Sequence, residues 1–277
     1  MTKDAKVTSG ATTNGARIAE RFSAIKASGR PGLVAYVTAG DPTLARTAEI
    51  LVSLADNGAD VLEVGVPFSD PLADGPVIQR ASERALRSGT SLRATLKMIR
   101  DTRSRIGAPI VLFTYANPIL RMGEETFAAA ARDAGVDGVL MLDLPVEEAA
   151  PFRARLVAAG LDPIFLLSPT TTDERIRATA ASGRGFLYVI SRLGVTGARD
   201  RIAADAEPLV ARIRKASDLP LALGFGISRP EHVAEVCRWA DAAVVGSALV
   251  NVIAEHGASP DVADRAGAYV RWLKGLA

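Results

Sequence analysis

The sequence has few of the residues on which several common kinds of active site depend. Its one cysteine, Cys237, cannot form an intrachain disulfide, and a single thiol suits a reducing compartment. Cys237 and the two histidines, His232 and His256, all fall in stretches with the apolar spacing of helices. We therefore interpret Cys237 as a packing residue and expect no histidine-based metal or acid–base site.

Lysine is missing from the segments that directly follow the predicted strands. An aldolase or lyase that works through a Schiff base needs a lysine in its pocket. None of the six lysines follows a predicted strand, so the sequence argues against that mechanism. They are Lys3, Lys6, Lys26, Lys97, Lys215 and Lys274.

Neither a cluster of one charge nor a long apolar run is present. The 33 basic and 31 acidic residues are spread evenly, so no basic patch suggests a nucleic-acid partner. No run is long enough to span a membrane, and the first residues lack the apolar core of a signal peptide. We expect a cytoplasmic enzyme whose residues 1–14 form a disordered tail.

What the sequence does contain is a series of eight short apolar runs, separated by longer segments of helical spacing. The runs are apolar throughout rather than alternating, as is typical of parallel strands covered on both faces. The predicted strands are Leu33–Ala39, Asp60–Val66, Pro109–Tyr115, Gly138–Leu144, Pro163–Ser168, Phe186–Ser191, Pro220–Phe225 and Ala242–Ser247.

The order of these segments predicts the fold. Several helical segments end in glycine, a common helix stop, as at Asn57-Gly58 and Ala134-Gly135. No linker rich in Pro, Ser or Gly divides the chain. We predict one α/β domain over residues 15–277, a (β/α)8 TIM barrel with an extra helix, Gly15–Ser28, before the first strand. An open, doubly wound sheet is the alternative.

In such a barrel the chemistry lies where the strands end and the following loops begin. Glu63 lies in the second strand, in VLEVGV, where its apolar neighbours alternate with it. If those neighbours face the helices, Glu63 faces the barrel interior. An apolar setting raises the pKa of a carboxyl group, so that it can both give and take protons. The alternative is a structural acid bound to backbone or water.

The loop after this strand, PFSDPLADGP, supplies Asp70 and Asp74, and LDLP after the fourth strand supplies Asp143. With Glu63 they are the remaining candidates for proton transfer. Aspartate is also a routine turn residue, so Asp70 or Asp74 alone could simply form the turn. Asp143 could instead bind its own loop.

Glycine-rich sequences follow the last three strands and indicate an anion site. GFGIS and VVGSA follow strands seven and eight, where barrel enzymes commonly bind phosphate, and LGVTG follows strand six. Glycines allow backbone N–H groups to approach an anion, and Gly246-Ser247 would begin a helix whose positive end faces it. Each motif alone is also common at ordinary turns, but together they favour a phosphorylated small substrate.

Taken in order, the motifs resemble the tryptophan synthase α-subunit family. They are EVGVPFSDPLADGPVIQ, SLRATL, FTYANPI, DLPVEEA, SRLGVTGAR, LGFGIS and VVGSALV. The resemblance runs from about Gly15 to the C-terminus. It departs from the family at Ala116, where a second tyrosine is frequent, and at Ser168, where alanine is more usual. It implies a lyase of tryptophan biosynthesis that cleaves indole-3-glycerol phosphate to indole and glyceraldehyde 3-phosphate, with no metal or organic cofactor in this chain.

The same resemblance implies roles for individual residues. Glu63 matches the catalytic acid–base glutamate, and Asp74 matches the aspartate that binds the indole N–H. Thr196 matches a loop residue that closes over the ligand. Tyr188 and Phe225 match residues near the substrate, and the phosphate would be bound by Gly197, Gly226, Gly246 and Ser247.

The resemblance further implies a partner. In the family, the α subunit pairs with a β subunit that carries pyridoxal phosphate and receives the indole, in an α2β2 heterotetramer. Residues that match the contact region are Pro67, Asp70, Asn117 and Pro145.

Three alternatives remain open at this point. The chain could be a stand-alone indole-3-glycerol-phosphate lyase without a partner. It could be a metal-dependent phosphosugar isomerase or aldolase that uses Glu63, Asp74 and Asp143 as ligands for a hard cation. It could also be a barrel that binds a phosphorylated ligand without catalysis.

Overall fold

The computed structural model describes residues 16–190, 206–224 and 226–276. Eight parallel strands form a closed barrel in sequence order, and the first strand pairs with both the second and the eighth. The prediction of a (β/α)8 barrel is confirmed, and the open sheet is excluded. The strands are β1 Gly32–Thr38, β2 Val61–Gly65, β3 Ile110–Thr114, β4 Gly138–Met141, β5 Asp162–Leu167, β6 Leu187–Ile190, β7 Leu221–Gly224 and β8 Ala242–Val245.

Helices surround the barrel, and the extra helix before β1 is present. The helices of the described ranges are α1 Ala16–Ser28, α2 Leu44–Asp56, α3 Pro76–Arg87, α4 Leu92–Thr102, α5 Ala116–Met122, α6 Glu124–Ala134, α7 Ala150–Ala158, α8 Asp173–Ser182, α9 Ala206–Arg214, α10 Pro230–Val236, α11 Ser247–His256 and α12 Val262–Leu273. The side chains of Thr43 and Ser91 cap α2 and α4. Gly135 ends α6 in the left-handed conformation.

The barrel wall separates two apolar layers, because successive strand residues point to opposite sides. Val34, Val61 and Val111 belong to the cluster inside the barrel. Leu33 and Leu62 belong to the larger cluster between the strands and the helices. A strand residue therefore points to the same side as the residues two positions before and after it, and their cluster shows which side that is.

Helix α1 closes the lower opening, where the strands begin. Its buried residues Ile18, Phe22 and Ile25 pack into the interior cluster, and the Phe22 ring lies 5.4 Å from the ring of Phe186. The interior is thus filled with apolar side chains from below, and the upper opening, where the strands end, is left for the site.

Several strands end earlier than the sequence predicts, because their last predicted residues belong to the loops of the upper opening. β4 ends at Met141 rather than Leu144, and β8 ends at Val245 rather than Ser247. Tyr115 precedes α5 and Gly246 precedes α11, so both residues serve as helix starts. Ser191 and Phe225, the predicted ends of two other strands, lie outside the described residues.

The two histidines and the cysteine lie in or beside helices, as the sequence predicts. His232 lies in α10 and His256 ends α11. The half-buried thiol of Cys237 contacts the carbonyl oxygen of Gly32 at 3.7 Å, and burial raises its pKa to about 11. This agrees with a packing role for Cys237. Within the described ranges, no helix is long and apolar enough to cross a membrane.

Candidate active site

Glu63 projects into the barrel from β2. Val61, two residues before it, lies in the interior cluster, whereas its neighbours Leu62 and Val64 lie in the outer one. The predicted inward direction of Glu63 is therefore confirmed. Its side chain is fully buried, and neither carboxylate oxygen has a hydrogen-bond partner in the described part of the chain. A buried carboxyl group without partners is costly when charged. A purely structural acid would have hydrogen-bond partners, and Glu63 has none in the described chain.

Burial raises the pKa of Glu63 to about 8, and the nearby negative charge of Asp74 adds to the shift. The carboxyl group is therefore mostly protonated at neutral pH, and its pKa lies close to the working range. A group in that state can donate a proton in one step and accept one in the next.

Asp74 lies in the loop between β2 and α3 and is almost fully buried. The Tyr115 hydroxyl donates a hydrogen bond of 3.0 Å to its carboxylate and accepts one of 3.1 Å from the backbone N–H of Ala73. The Gln79 side chain donates to the Asp74 carbonyl oxygen at 2.9 Å. These contacts fix the loop, so Asp74 is more than a turn former.

Burial raises the pKa of Asp74 to about 6, and the hydrogen bond from Tyr115 opposes that shift. At neutral pH Asp74 is therefore mostly ionised while Glu63 is mostly neutral. Two neighbouring carboxyl groups with separated pKa values can take different roles, one as a proton donor and acceptor and the other as a fixed negative charge.

Three tyrosines surround this pair, and the sequence prediction named one of them. Tyr188, the predicted residue, lies on β6; burial raises its pKa, with a further contribution from the charge of Glu63. Tyr115 was overlooked as a site residue, although it stands in the quoted motif FTYANP. Tyr36 was also overlooked, although it occupies an inward position of β1 in register with Glu63.

The glycines predicted to bind phosphate lie on the neighbouring strand ends β7 and β8. Gly224 of β7 pairs with Val244 of β8. Gly226 lies two residues after Gly224, and Gly246 lies two residues after Val244. Gly226 has a φ of +56°, which favours glycine. Gly246 precedes α11 without a side-chain cap, and Ser247 is the first residue of that helix. The first N–H groups of α11 are thus available to an anion.

The remaining predicted ligand contacts, Thr196, Gly197 and Phe225, lie outside the described residues. Their roles stay predictions. The described portion of the site consists of the carboxyl pair, the tyrosines and the glycines at the ends of β7 and β8.

The predicted partner-contact residues lie on the rim of the upper opening. Asp70, Asn117 and Pro145 are exposed, whereas Pro67 is buried. Two apolar side chains near them are also exposed, Leu72 by 92% and Leu120, in α5, by 61%.

Asp143 does not bind its own loop. Its carboxylate accepts a hydrogen bond of 2.7 Å from the backbone N–H of Ala116, at the start of α5. It therefore joins the loops that follow β3 and β4. Among the residues that the structure describes, no group of three or more His, Cys, Asp or Glu side chains could bind a metal ion. Glu63, Asp74 and Asp143, the ligands named by the metal-dependent alternative, therefore form no such group.

Comparison with known proteins identifies the family. The sequence pattern of the family described as "Tryptophan synthase alpha chain" matches residues 22–273. The tryptophan synthase alpha chain of Geobacter sulfurreducens is 53% identical over 236 residues, which cover 85% of this chain and 89% of the relative. The chain belongs to the tryptophan synthase alpha chain family. The relative from Solibacter usitatus is 47% identical over 258 residues, 93% of this chain and 97% of its own length.

Solved structures of the tryptophan synthase family have the same fold. A chain of Mycobacterium tuberculosis tryptophan synthase superposes with a TM-score of 0.87 at 37% identity, covering 94% of this chain and 97% of the other. Tryptophan synthase subunit alpha from Legionella pneumophila gives 0.85 at 38% identity, with the same coverage. The predicted family, the barrel fold and the role as a lyase of tryptophan biosynthesis are confirmed.

Proposed function

We propose that Glu63 and Asp74 together carry the alpha reaction, the retro-aldol cleavage of indole-3-glycerol phosphate to indole and glyceraldehyde 3-phosphate. The main support is the buried Glu63 carboxyl group, which has no hydrogen-bond partner in the described chain and a pKa of about 8. An acid of this kind beside a mostly ionised aspartate suits a reaction that first adds a proton to carbon and then removes one from oxygen.

In this mechanism the protonated Glu63 gives its proton to C3 of the indole ring, which makes the ring positively charged. The Asp74 carboxylate accepts a hydrogen bond from the indole N–H and stabilises that charge. The bond between C3 and the glycerol chain then breaks, and its electrons restore the aromatic ring. The Glu63 carboxylate takes the proton of the adjacent glycerol hydroxyl as the aldehyde forms, which returns Glu63 to its protonated state.

The phosphate end of the substrate would lie on Gly226, Gly246 and Ser247, where the N–H groups of α11 begin. Tyr188 would lie beside the substrate. Of the residues outside the described ranges, Gly197 and Phe225 would add contacts, and Thr196 would belong to a closing loop that excludes water.

We further propose that a β subunit with pyridoxal phosphate binds the rim and that the complex is an α2β2 heterotetramer. The exposed apolar side chains Leu72 and Leu120, beside Asp70 and Asn117, support a protein contact there. The expected location is the cytoplasm, with residues 15–277 as one domain, residues 1–14 as a disordered tail and no cofactor in this chain.

One assay tests this function against its alternatives: indole release from indole-3-glycerol phosphate by the purified chain in EDTA, with and without a β subunit. We expect indole with EDTA present and a higher rate with the partner. A fast rate that the partner does not change would indicate a stand-alone lyase. Loss of activity in EDTA would indicate a metal enzyme, and absence of indole under both conditions would contradict the proposal.

The pH dependence of kcat/KM is expected to be bell-shaped, with limbs near pH 6 and pH 8. Activity should rise as Asp74 loses its proton and fall as Glu63 loses its own, since the reaction begins with Asp74 ionised and Glu63 protonated. The two groups interact, so the apparent values belong to the pair. Initial rates from pH 5 to pH 10 test this, and a flat profile across that range would contradict the assignment.

A further inference from the structure

Tyr36 is the nearest neighbour of Glu63 across the β1–β2 ladder. The register pairs Tyr36 with Glu63 and Thr38 with Gly65. Val34, two residues before Tyr36, lies in the interior cluster, as does Val61 before Glu63, so both side chains point into the barrel. Two inward side chains at directly paired positions lie side by side, and here one ends in a hydroxyl and the other in a carboxyl group.

Gly65 leaves the space that the Tyr36 hydroxyl occupies. It occupies the next inward position of β2 beyond Glu63, toward the upper opening. A Cβ at Gly65 would lie 2.1 Å from the Tyr36 hydroxyl oxygen and 2.6 Å from the ring carbon that bears it. Only glycine leaves that space, so the hydroxyl lies against Gly65, one inward position beyond Glu63 on β2.

The Tyr36 hydroxyl has a proton available for a further bond. Its described hydrogen-bond partner is the Thr38 hydroxyl, at 3.3 Å. The two hydroxyls carry two protons, and one bond between them uses one. Both groups are buried, and both oxygens of Glu63 lack partners in the described chain. A buried pair with a spare donor thus lies beside a carboxyl group that has no donor.

The surroundings keep Tyr36 in its protonated form. Its pKa is raised far above the usual value, first by burial and then by the negative charges of Asp74 and Glu63. The ring lies edge-on to Phe113, with centroids 5.2 Å apart, and this contact limits its movement. On the other side, the Tyr36 Cβ lies 4.0 Å from the position of a Cβ on Gly246. Tyr36 therefore stands between the carboxyl pair and the glycines at the end of β8.

We propose that Tyr36 is a positioning residue whose hydroxyl donates a hydrogen bond to the Glu63 carboxylate formed during the reaction. Thr38 donates to Tyr36 and directs the remaining proton toward Glu63. The bond stabilises the carboxylate in the interval between protonation of the indole ring and removal of the hydroxyl proton. This inference rests on the proposed function, because it assigns Glu63 a charged state within the catalytic cycle.

The experiment compares wild type, Tyr36→Phe and Thr38→Val. Tyr36→Phe removes one oxygen and leaves the ring against Phe113. We expect kcat for indole release to fall about tenfold with KM changed less than about twofold, as for loss of a bond to a charged group. The alkaline limb of the pH profile should move up by about one pH unit, because the ionised Glu63 loses its donor. Thr38→Val keeps the donor and should move the limb by less than half as much.

A second measurement separates this inference from the proposed function. Titration of the Glu63 carboxyl carbon by 13C NMR, with the signal identified by its loss in Glu63→Gln, needs no turnover. We expect its pKa to rise by about one unit in Tyr36→Phe. An unchanged pKa in Tyr36→Phe, or an equal rise in Thr38→Val, would overturn the role of Tyr36. Failure of the wild type to release indole would count only against the proposed function.

Discussion

Glu63→Gln is expected to lower the rate of indole formation by a factor on the order of 10³ to 10⁴, the upper range for a group that acts as both acid and base. Glutamine has nearly the same shape, but it can neither protonate C3 nor accept the glycerol proton. The described upper opening offers no other carboxyl group with a raised pKa that projects from a strand into the barrel. Steady-state indole release by the purified variant measures the effect.

Stability measurements show whether Glu63→Gln loses activity because its chemistry fails or because it does not fold. The folded-state pKa of about 8 lies above the ordinary 4.5, so wild type loses stability as the pH rises from 4.5 through 8. The variant lacks this charge. We expect it to match wild type below about pH 4.5 and to exceed it by on the order of 5 kcal/mol at pH 9.

The exposed Glu20→Gln, on α1, is the matched control for both measurements and should show neither effect. Turnover within about tenfold of wild type in a folded Glu63→Gln would remove Glu63 from the mechanism.

Asp74→Asn is expected to lower kcat about 10²-fold and to change KM little. The amide keeps the size of the side chain but removes the negative charge that faces the positively charged indole ring, and that charge matters chiefly in the transition state. The acidic limb of the pH profile, near pH 6, should disappear with the carboxyl group.

Two comparisons sharpen the test of Asp74. Tyr115→Phe removes the hydroxyl that binds both Asp74 and the backbone of Ala73, and we expect a smaller loss of kcat, about three- to tenfold. Asp133→Asn, an exposed change on α6, should leave the rate unchanged. If Asp74→Asn kept the acidic limb, another group would have to account for it.

The sequence predicts the barrel and the direction of Glu63, because both depend on local patterns. Apolar runs identify the strands, and alternation along β2 shows which side chains face inward. The motifs also place Gly246 and Ser247 at a helix start.

Contacts between loops are what the sequence does not predict. Tyr115 meets Asp74 across 41 residues of chain, and Asp143 meets the N–H of Ala116 across 27. No periodic pattern relates such positions, since the barrel must close before the loops meet. The role of Tyr36 has the same origin. Its pairing with Glu63 depends on the register between β1 and β2, and its hydroxyl is placed by a glycine on the other strand.

The apolar filling of the barrel by α1 affects how products can depart. Ile18, Phe22 and Ile25 pack beneath the interior, so the described barrel is closed at its lower end. Indole formed above Glu63 therefore leaves through the upper opening, past the rim on which Leu72 and Leu120 are exposed. A protein bound on that rim would therefore lie beside the opening through which indole leaves.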